Sequence, residues 1–559
     1  MNLHIEMFLI GFTGLLYELL LIRIFSVFIS PFFASIFISL SLFGIGIGNA
    51  LSLYLQKKST KSRLSNLTLY YAFSFLFVYF LFYSVNYYPQ FLSTIIKNFQ
   101  KYQNQDNFSI ISFVIQFIFI LIVFIIITNP LVFNGIIYSL IISEHNEIFE
   151  KIYIYNLLGA GIASFFIYFI LHYANPFMLI LFSSFLIAIF YIYDCFRINS
   201  RDNKKKIWVS LIYCIILTGL ILFSYNKKTI YLHFKGKSYG IPLWDEWNHI
   251  SRVIVVRKEP EIHTRIPFAR MSMEPSRKQY SDLILYNNND NGSMILKFDG
   301  NLNKVQFLKS DITAFPYYIL PQKSKVAILG PGGGIDIIVP VLFGHTPTAI
   351  EVNPLIVYAI NHVFGDYTGH VYSLPGVKTV IEDARSYLRS NNEIFDLISM
   401  LYVHPDDFSS INGFSHIENH LLTEEAFMIY SSRLSSNGIL QICGDFYKNE
   451  ILRIIASCKN SVQYQTKSHF VVLETQQRIK TILFKKNGFS DKEYAIITGK
   501  AKDFNVNIIY PGENSLPPLK LLIKADSYKD FNLSYMYDIT PSTDDNPFFF
   551  YFKKNKEIK

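Results

Sequence analysis

Cysteine is nearly missing from this 559-residue chain: Cys195, Cys214, Cys443 and Cys458 are the only four, and no two lie close together. That spacing excludes a disulfide-stapled scaffold and a thiolate zinc site, and it is compatible with a reducing compartment. Charge is also short, at 17% of residues, against roughly 25% in an ordinary soluble domain. With 51% apolar residues, neither a disordered chain nor a simple soluble enzyme fits. The shortage is uneven. Residues 1–226 hold 13 Lys/Arg and 8 Asp/Glu, against 38 and 34 in the remaining 333. Two solvents are implied, lipid first and water second. The net charge of +9 is mild, and part of it is a Lys204, Lys205, Lys206 run beside an apolar segment. An anionic bilayer surface accounts for such a run. No nucleic-acid motif is present, so membrane lipids are expected partners and nucleic acid is not.

Crossing the hydrocarbon takes about 20 mostly apolar residues. Seven such stretches occur, near 5–29, 32–55, 67–88, 109–128, 152–173, 176–195 and 207–225. The short run at 131–142 follows Pro130, so it either extends the fourth helix past a kink or lies at the interface. The first run lacks a basic leader and is too long for a cleaved signal, so the first helix is expected to stay. Gly44, Gly46, Gly48, Gly159 and Gly161 are expected to let helices approach closely. Glu18 sits mid-helix, where a charge costs roughly 2.5–3.5 kcal/mol, so a partner on another helix, or protonation, is expected. Alternating basic loops place the amino terminus in the cytosol by the positive-inside rule. Seven crossings would then put the large domain outside, whereas a domain using a cytosolic nucleotide cofactor belongs inside. The cofactor is given more weight, and the expectation is a bacterial inner-membrane protein with a cytoplasmic soluble domain.

After Tyr225 the pattern changes to short β-branched runs with turns, a β-rich module reaching to about residue 322. Then Lys325 to Leu329 reads as a strand, Gly330, Pro331, Gly332, Gly333 and Gly334 as a tight turn, and the next segment as a helix. Such a turn lets a ligand approach bare backbone, and the helix start behind it offers unpaired N–H groups. A second strand ends at Glu351, about 20 residues on, where a carboxylate accepts hydrogen bonds from ribose hydroxyls. A third ends at Glu382 and Asp383, the latter placed to face an adenine amino group. A fourth, Phe395 to Leu401, opens into a polar loop. This order serves either a dinucleotide or an S-adenosyl nucleoside, and the second acid, Asp383, favours the latter. Asp336, in the first turn of the helix, is explained by the helix dipole alone and is also placed to meet the ligand's amino group.

The run from about Trp247 to Phe552 resembles the spermidine-synthase-like domain that follows a multi-helix membrane region in a group of bacterial proteins. The resemblance is carried by WNHISRV at 247–253, GPGGG at 330–334 with Asp336, EVNP at 351–354 and YTGHVY at 367–372. It continues in EDARSYL at 382–388, ENHLLTEEAF at 418–427 and TDDNPFF at 543–549, with GLLYE at 14–18 and NLLGA at 156–160 in the membrane half. It implies a Rossmann-like transferase fold binding S-adenosylmethionine or decarboxylated S-adenosylmethionine. The expected architecture is an α-helical transmembrane bundle of about seven helices (1–226), a small β-rich module (227–322) and an α/β Rossmann-like transferase domain (323–559).

In soluble spermidine synthases an Asp ends the fourth strand and another sits within the glycine turn; here Leu401 and Gly333 stand in those places. Both departures tilt the expected reaction from aminopropyl to methyl transfer, which needs alignment and desolvation more than an acid. His404, Asp406, Asp407 and Glu418 are the nearby catalytic candidates, each with an ordinary reading as surface or brace. Expected cofactor contacts are Gly330, Gly332, Gly333, Gly334, Asp336, Glu351 and Asp383. The acceptor is expected to be a small molecule or a lipid, a homo-oligomer is allowed, and no metal is expected. A membrane carrier or lipid-handling protein with a nucleoside-sensing domain is the competing class.

Overall fold

The computed structural model describes residues 3–28, 31–56, 61–87, 110–198, 203–227, 242–257, 270–271, 281–288, 291–402, 418–462, 469–512, 515–525 and 527–554. The chain divides into two compact units, Met1–Arg252 and Val253–Lys559.

Among the described residues, the first unit has seven helices long and apolar enough to cross a membrane. They are α1 (Leu3–Phe28), α2 (Pro31–Gln56), α3 (Lys61–Tyr87), α4 (Ile110–Glu144), α5 (Phe149–Ile170), α6 (Pro176–Ile198) and α7 (Asn203–Lys227). Pro130 lies inside α4, so the run at 131–142 continues the fourth helix. Small residues set the closest approaches. A Cβ on Gly159 would stand 2.0 Å from the Phe8 carbonyl oxygen, and one on Gly48 2.2 Å from that of Val132. Gly44 touches Leu131 more loosely, while Gly46 and Gly161 meet nothing within 4 Å. Residues 44 and 48 are one turn apart on one helix face and residue 46 lies opposite, so only part of the glycine stripe packs. Polar groups inside the bundle bond across helices: Asn134 Nδ2 donates to the Ile10 carbonyl at 2.9 Å and to Tyr71 Oη at 3.1 Å. Glu18 is half-buried and has no hydrogen-bond or ion-pair partner among the described residues. Arg23 donates to the Asn248 carbonyl at 3.1 Å.

In the second unit, β2 (Arg252–Arg257), β3 (Leu283–Asn287) and β4 (Asn291–Ile295) pair as an antiparallel meander, following a short β1 (Trp244–Trp247) in the first. An eight-stranded sheet follows: β5 (Lys325–Leu329), β6 (Thr346–Glu351), β7 (Lys378–Ile381), β8 (Phe395–Leu401), β9 (Leu434–Gly444), β10 (Phe470–Glu474), β11 (Lys480–Lys485) and β12 (Asn507–Tyr510). Its order is β12-β10-β11-β9-β8-β5-β6-β7. From β9 to β7 neighbours are parallel; β11, β10 and β12 are added antiparallel. Strands β5 and β6 are buried along almost their whole length, which is why β5, with Val326 to Leu329, reads as a continuous apolar run rather than an alternating one. The chain leaves β5 toward β6 and β7, then returns to β8 on the other side. That reversal opens a crevice beyond the carboxyl ends of β5 and β8, the usual place for a ligand in such sheets.

Candidate functional site

A cavity of about 250 Å3 lies at that reversal. Its walls include Gly330, Gly332 and Asp336 after β5, Glu351 at the end of β6, Leu401 and Tyr402 at the end of β8, and Ser293 and Met294 from the meander. The glycine bend is held in conformations that L-residues avoid: φ is +69° at Gly330, +53° at Gly332 and +91° at Gly334. A side chain on Gly330 would meet nothing within 4 Å, so this backbone borders open space. Gly333 is the opposite. Its N–H donates to Ser293 Oγ at 2.8 Å, and a Cβ there would stand 2.2 Å from the Met294 carbonyl oxygen. Strand β4 therefore occupies the space an aspartate at position 333 would need.

Glu351 turns back toward the bend. Its Oε2 accepts the Gly332 N–H at 3.3 Å and its Oε1 the Asn353 N–H at 3.1 Å. The residue is 4% exposed. Burial pushes its carboxyl above the usual range, with the N–H groups of Asn353, Gly332 and Val352 pulling against that rise. Asn353 then caps helix Pro354–Tyr358 through the Leu355 N–H, which accounts for the EVNP run. Below Glu351, Tyr372 donates its hydroxyl to the Gly332 carbonyl at 2.8 Å. Burial, followed by the nearby Glu351 and Asp336, holds that phenol well above its ordinary value.

Asp336 starts helix α8 (Ile335–Leu342) and is not simply a helix-dipole acid. Arg270 Nη2 donates to its Oδ1 at 2.5 Å and to Thr313 Oγ1 at 2.8 Å, while Arg270 Nε donates to Asp311 Oδ1 at 3.1 Å. The arginine and both acids are nearly or wholly buried. Burial pushes Asp336 up, and the Arg270 guanidinium pulls against it. For Arg270 burial opposes the charge, but Asp311 and Asp336 outweigh it, so the guanidinium is held above its ordinary value.

The remaining expected residues fall elsewhere. Asp383 is exposed and caps helix Ala384–Ser390, its Oδ1 accepting the Ser386 N–H at 2.8 Å; it does not line the cavity. Gly333 and Gly334 shape the bend without lining the cavity. Glu418 is exposed and lies 3.5 Å from His420, outside the cavity wall. His404, Asp406 and Asp407 lie outside the described residues. Three of the quoted motifs meet for a structural purpose: Arg385 forms a two-pronged ion pair with Asp544, which also accepts from Thr423 Oγ1 at 2.8 Å. Its backbone N–H donates to Glu425 Oε2 at 3.0 Å. Arg270, Ser293 and Tyr372 were not expected as site residues. Only Tyr372 carried a signal, through the YTGHVY run. Tyr402 was also unexpected. It closes β8 with φ +52°, a left-handed conformation that non-glycine residues adopt mainly where surrounding structure imposes it.

No protein-family model matches the chain, and no curated protein matches it. Among solved structures it is similar to a spermidine synthase from Thermotoga maritima, at 16% identity over 51% of this chain and 87% of that one, with a TM-score of 0.32. A spermidine synthase in complex with the transition-state analogue AdoDATO matches at 15% identity over the same shares, also at 0.32. Human methyltransferase-like protein 13 in complex with SAH matches at 12% identity over 34% of this chain and 89% of that one, at 0.25.

Proposed function

We propose that the chain is a membrane-integrated group transferase that binds an S-adenosyl nucleoside between the glycine bend and Glu351. The carrying observation is that Glu351, at the end of β6, faces the bend across an open cavity, with Oε2 on the Gly332 N–H. A buried carboxylate so placed accepts from sugar hydroxyls, and the open backbone at Gly330 admits the rest of the ligand. Excess acid fits the sulfonium: the wall carries Glu351 and Asp336 against Arg270, which is also paired with the buried Asp311.

When bound, the sulfonium supplies an activated carbon. The acceptor's lone pair forms the new bond, the C–S pair leaves on sulfur as a neutral thioether, and the acceptor's proton passes to solvent. The chain's part is to align and desolvate. Methyl transfer is preferred over aminopropyl transfer because Leu401 ends β8 where an amine-holding acid would stand and Gly333 has no room for the other. The acceptor is a small molecule or a lipid, entering beside residues 402–420.

The test uses the full chain in nanodiscs, titrated calorimetrically with S-adenosylmethionine, its decarboxylated form and S-adenosylhomocysteine. At least one should bind. Glu351→Gln should weaken that binding by roughly 10- to 100-fold, the scale of losing charge-assisted hydrogen bonds. No binding by any of the three, or an unaffected variant, rejects the reading. Binding without turnover on lipid or polyamine extracts favours a nucleoside-sensing carrier instead.

A further inference from the structure

Arg270 is a buried cation set in the wall of an acid-rich cavity. Its Nε and Nη2 are committed to Asp311, Thr313 and Asp336, and no hydrogen bond leaves Nη1 toward any described residue. Asp336 mirrors this: Oδ1 receives Arg270, while Oδ2 accepts nothing from the described residues. Asp311 is not among the lining residues of the cavity, and its Oδ1 also takes the Thr313 N–H at 2.9 Å and the Thr313 hydroxyl at 2.8 Å. The wall thus presents one guanidinium N–H edge and one carboxylate oxygen, fixed side by side by their own ion pair. They sit at the first turn of α8, directly after the glycine bend.

That pairing complements a carbon bearing both an ammonium and a carboxylate. We propose that Arg270 and Asp336 together read the α-amino-acid end of the S-adenosyl ligand, which selects S-adenosylmethionine over its decarboxylated form. The ligand carboxylate accepts from Arg270 Nη1, and the ligand ammonium donates to Asp336 Oδ2. This rests on the nucleoside reading above. Net charge alone favours the decarboxylated ligand, which carries one more positive charge. Directionality decides otherwise. Asp336 serves the ammonium of both forms equally, whereas Nη1 loses its acceptor when the carboxylate is missing. A site built to hydrogen-bond a ligand group rejects the analogue lacking it by large factors.

The test is the affinity ratio in the wild-type full chain in nanodiscs, which needs no variant. S-adenosylmethionine should bind at least about tenfold more tightly than the decarboxylated form, and S-adenosylhomocysteine more tightly than 5′-methylthioadenosine, which lacks the tail. Arg270→Gln should remove the first preference by weakening the carboxylated ligand alone. Asp336→Asn should weaken both forms alike. Equal affinities, a preference for the decarboxylated form, or a folded Arg270→Gln that keeps the wild-type ratio overturns the selectivity while leaving the nucleoside reading standing. If neither form nor S-adenosylhomocysteine binds the wild type, both readings fall.

Discussion

Glycine does different work in the two units. In the helical unit Gly48 and Gly159 give up a side chain so that a backbone carbonyl of another helix fits where Cβ would be, at 2.2 and 2.0 Å. Lipid tails offer no hydrophobic gain for helix association, so close packing has to supply the contact energy. In the second unit Gly330, Gly332 and Gly334 are needed first for positive φ, and at Gly330 the missing side chain leaves open space rather than contact. Gly333 joins the two uses, packing against a carbonyl at 2.2 Å, the same distance as Gly48 in the bundle, yet inside the positive-φ bend. A shared residue type therefore marks neither a membrane nor a ligand; its neighbours do.

The comparison breaks most visibly at Gly333. Gly333→Asp installs the acid that soluble spermidine synthases carry, but its Cβ lands on the Met294 carbonyl. It should cost about 3 kcal/mol or more by overpacking, seen as a lowered thermal midpoint and lost nucleoside binding, with no polyamine activity gained. Gly159→Ala in the bundle meets the Phe8 carbonyl and should cost about 1–3 kcal/mol, read by thermal unfolding in detergent with nucleoside affinity unchanged.

A smaller effect is set by pH. Burial raises Glu351, so nucleoside binding should weaken as pH falls through a midpoint above the ordinary carboxylate range. The stability sign is opposite. A raised acid contributes stability below its unfolded value and loses it as pH rises through its folded value. Between those limits, the wild type should therefore gain stability on acidification relative to Glu351→Gln. Coincident trends in binding and stability would contradict the assignment. Smallest is Gly161→Ala, which meets nothing within 4 Å and should shift stability by no more than about 0.5 kcal/mol; a large loss would show that the bundle uses both glycines of its pair.

Much of the layout was legible because it depends on local periodicity. Seven apolar stretches became seven helices, and Pro130 was tolerated inside the fourth. The strand, glycine bend and helix from Lys325 onward also followed from spacing, as did the acid ending the next strand. Asp383 shows where spacing stops informing: a strand-end acid sits where expected, yet its carboxylate caps the following helix. Arg270 was invisible because its acid partners lie 41 and 66 residues away, in segments with no shared pattern.

The amino-acid order alone determined which stretches are long and apolar enough to cross a membrane, which form strands, and where the tight glycine bend falls, because those follow from hydropathy and φ preferences of neighbouring residues. Only the folded chain decided which glycines touch, that β4 fills the space beside Gly333, and that Arg270 joins Asp336 in the cavity wall. Those outcomes depend on atoms brought together across long separations, whose excluded volume and charge have no representation in local spacing.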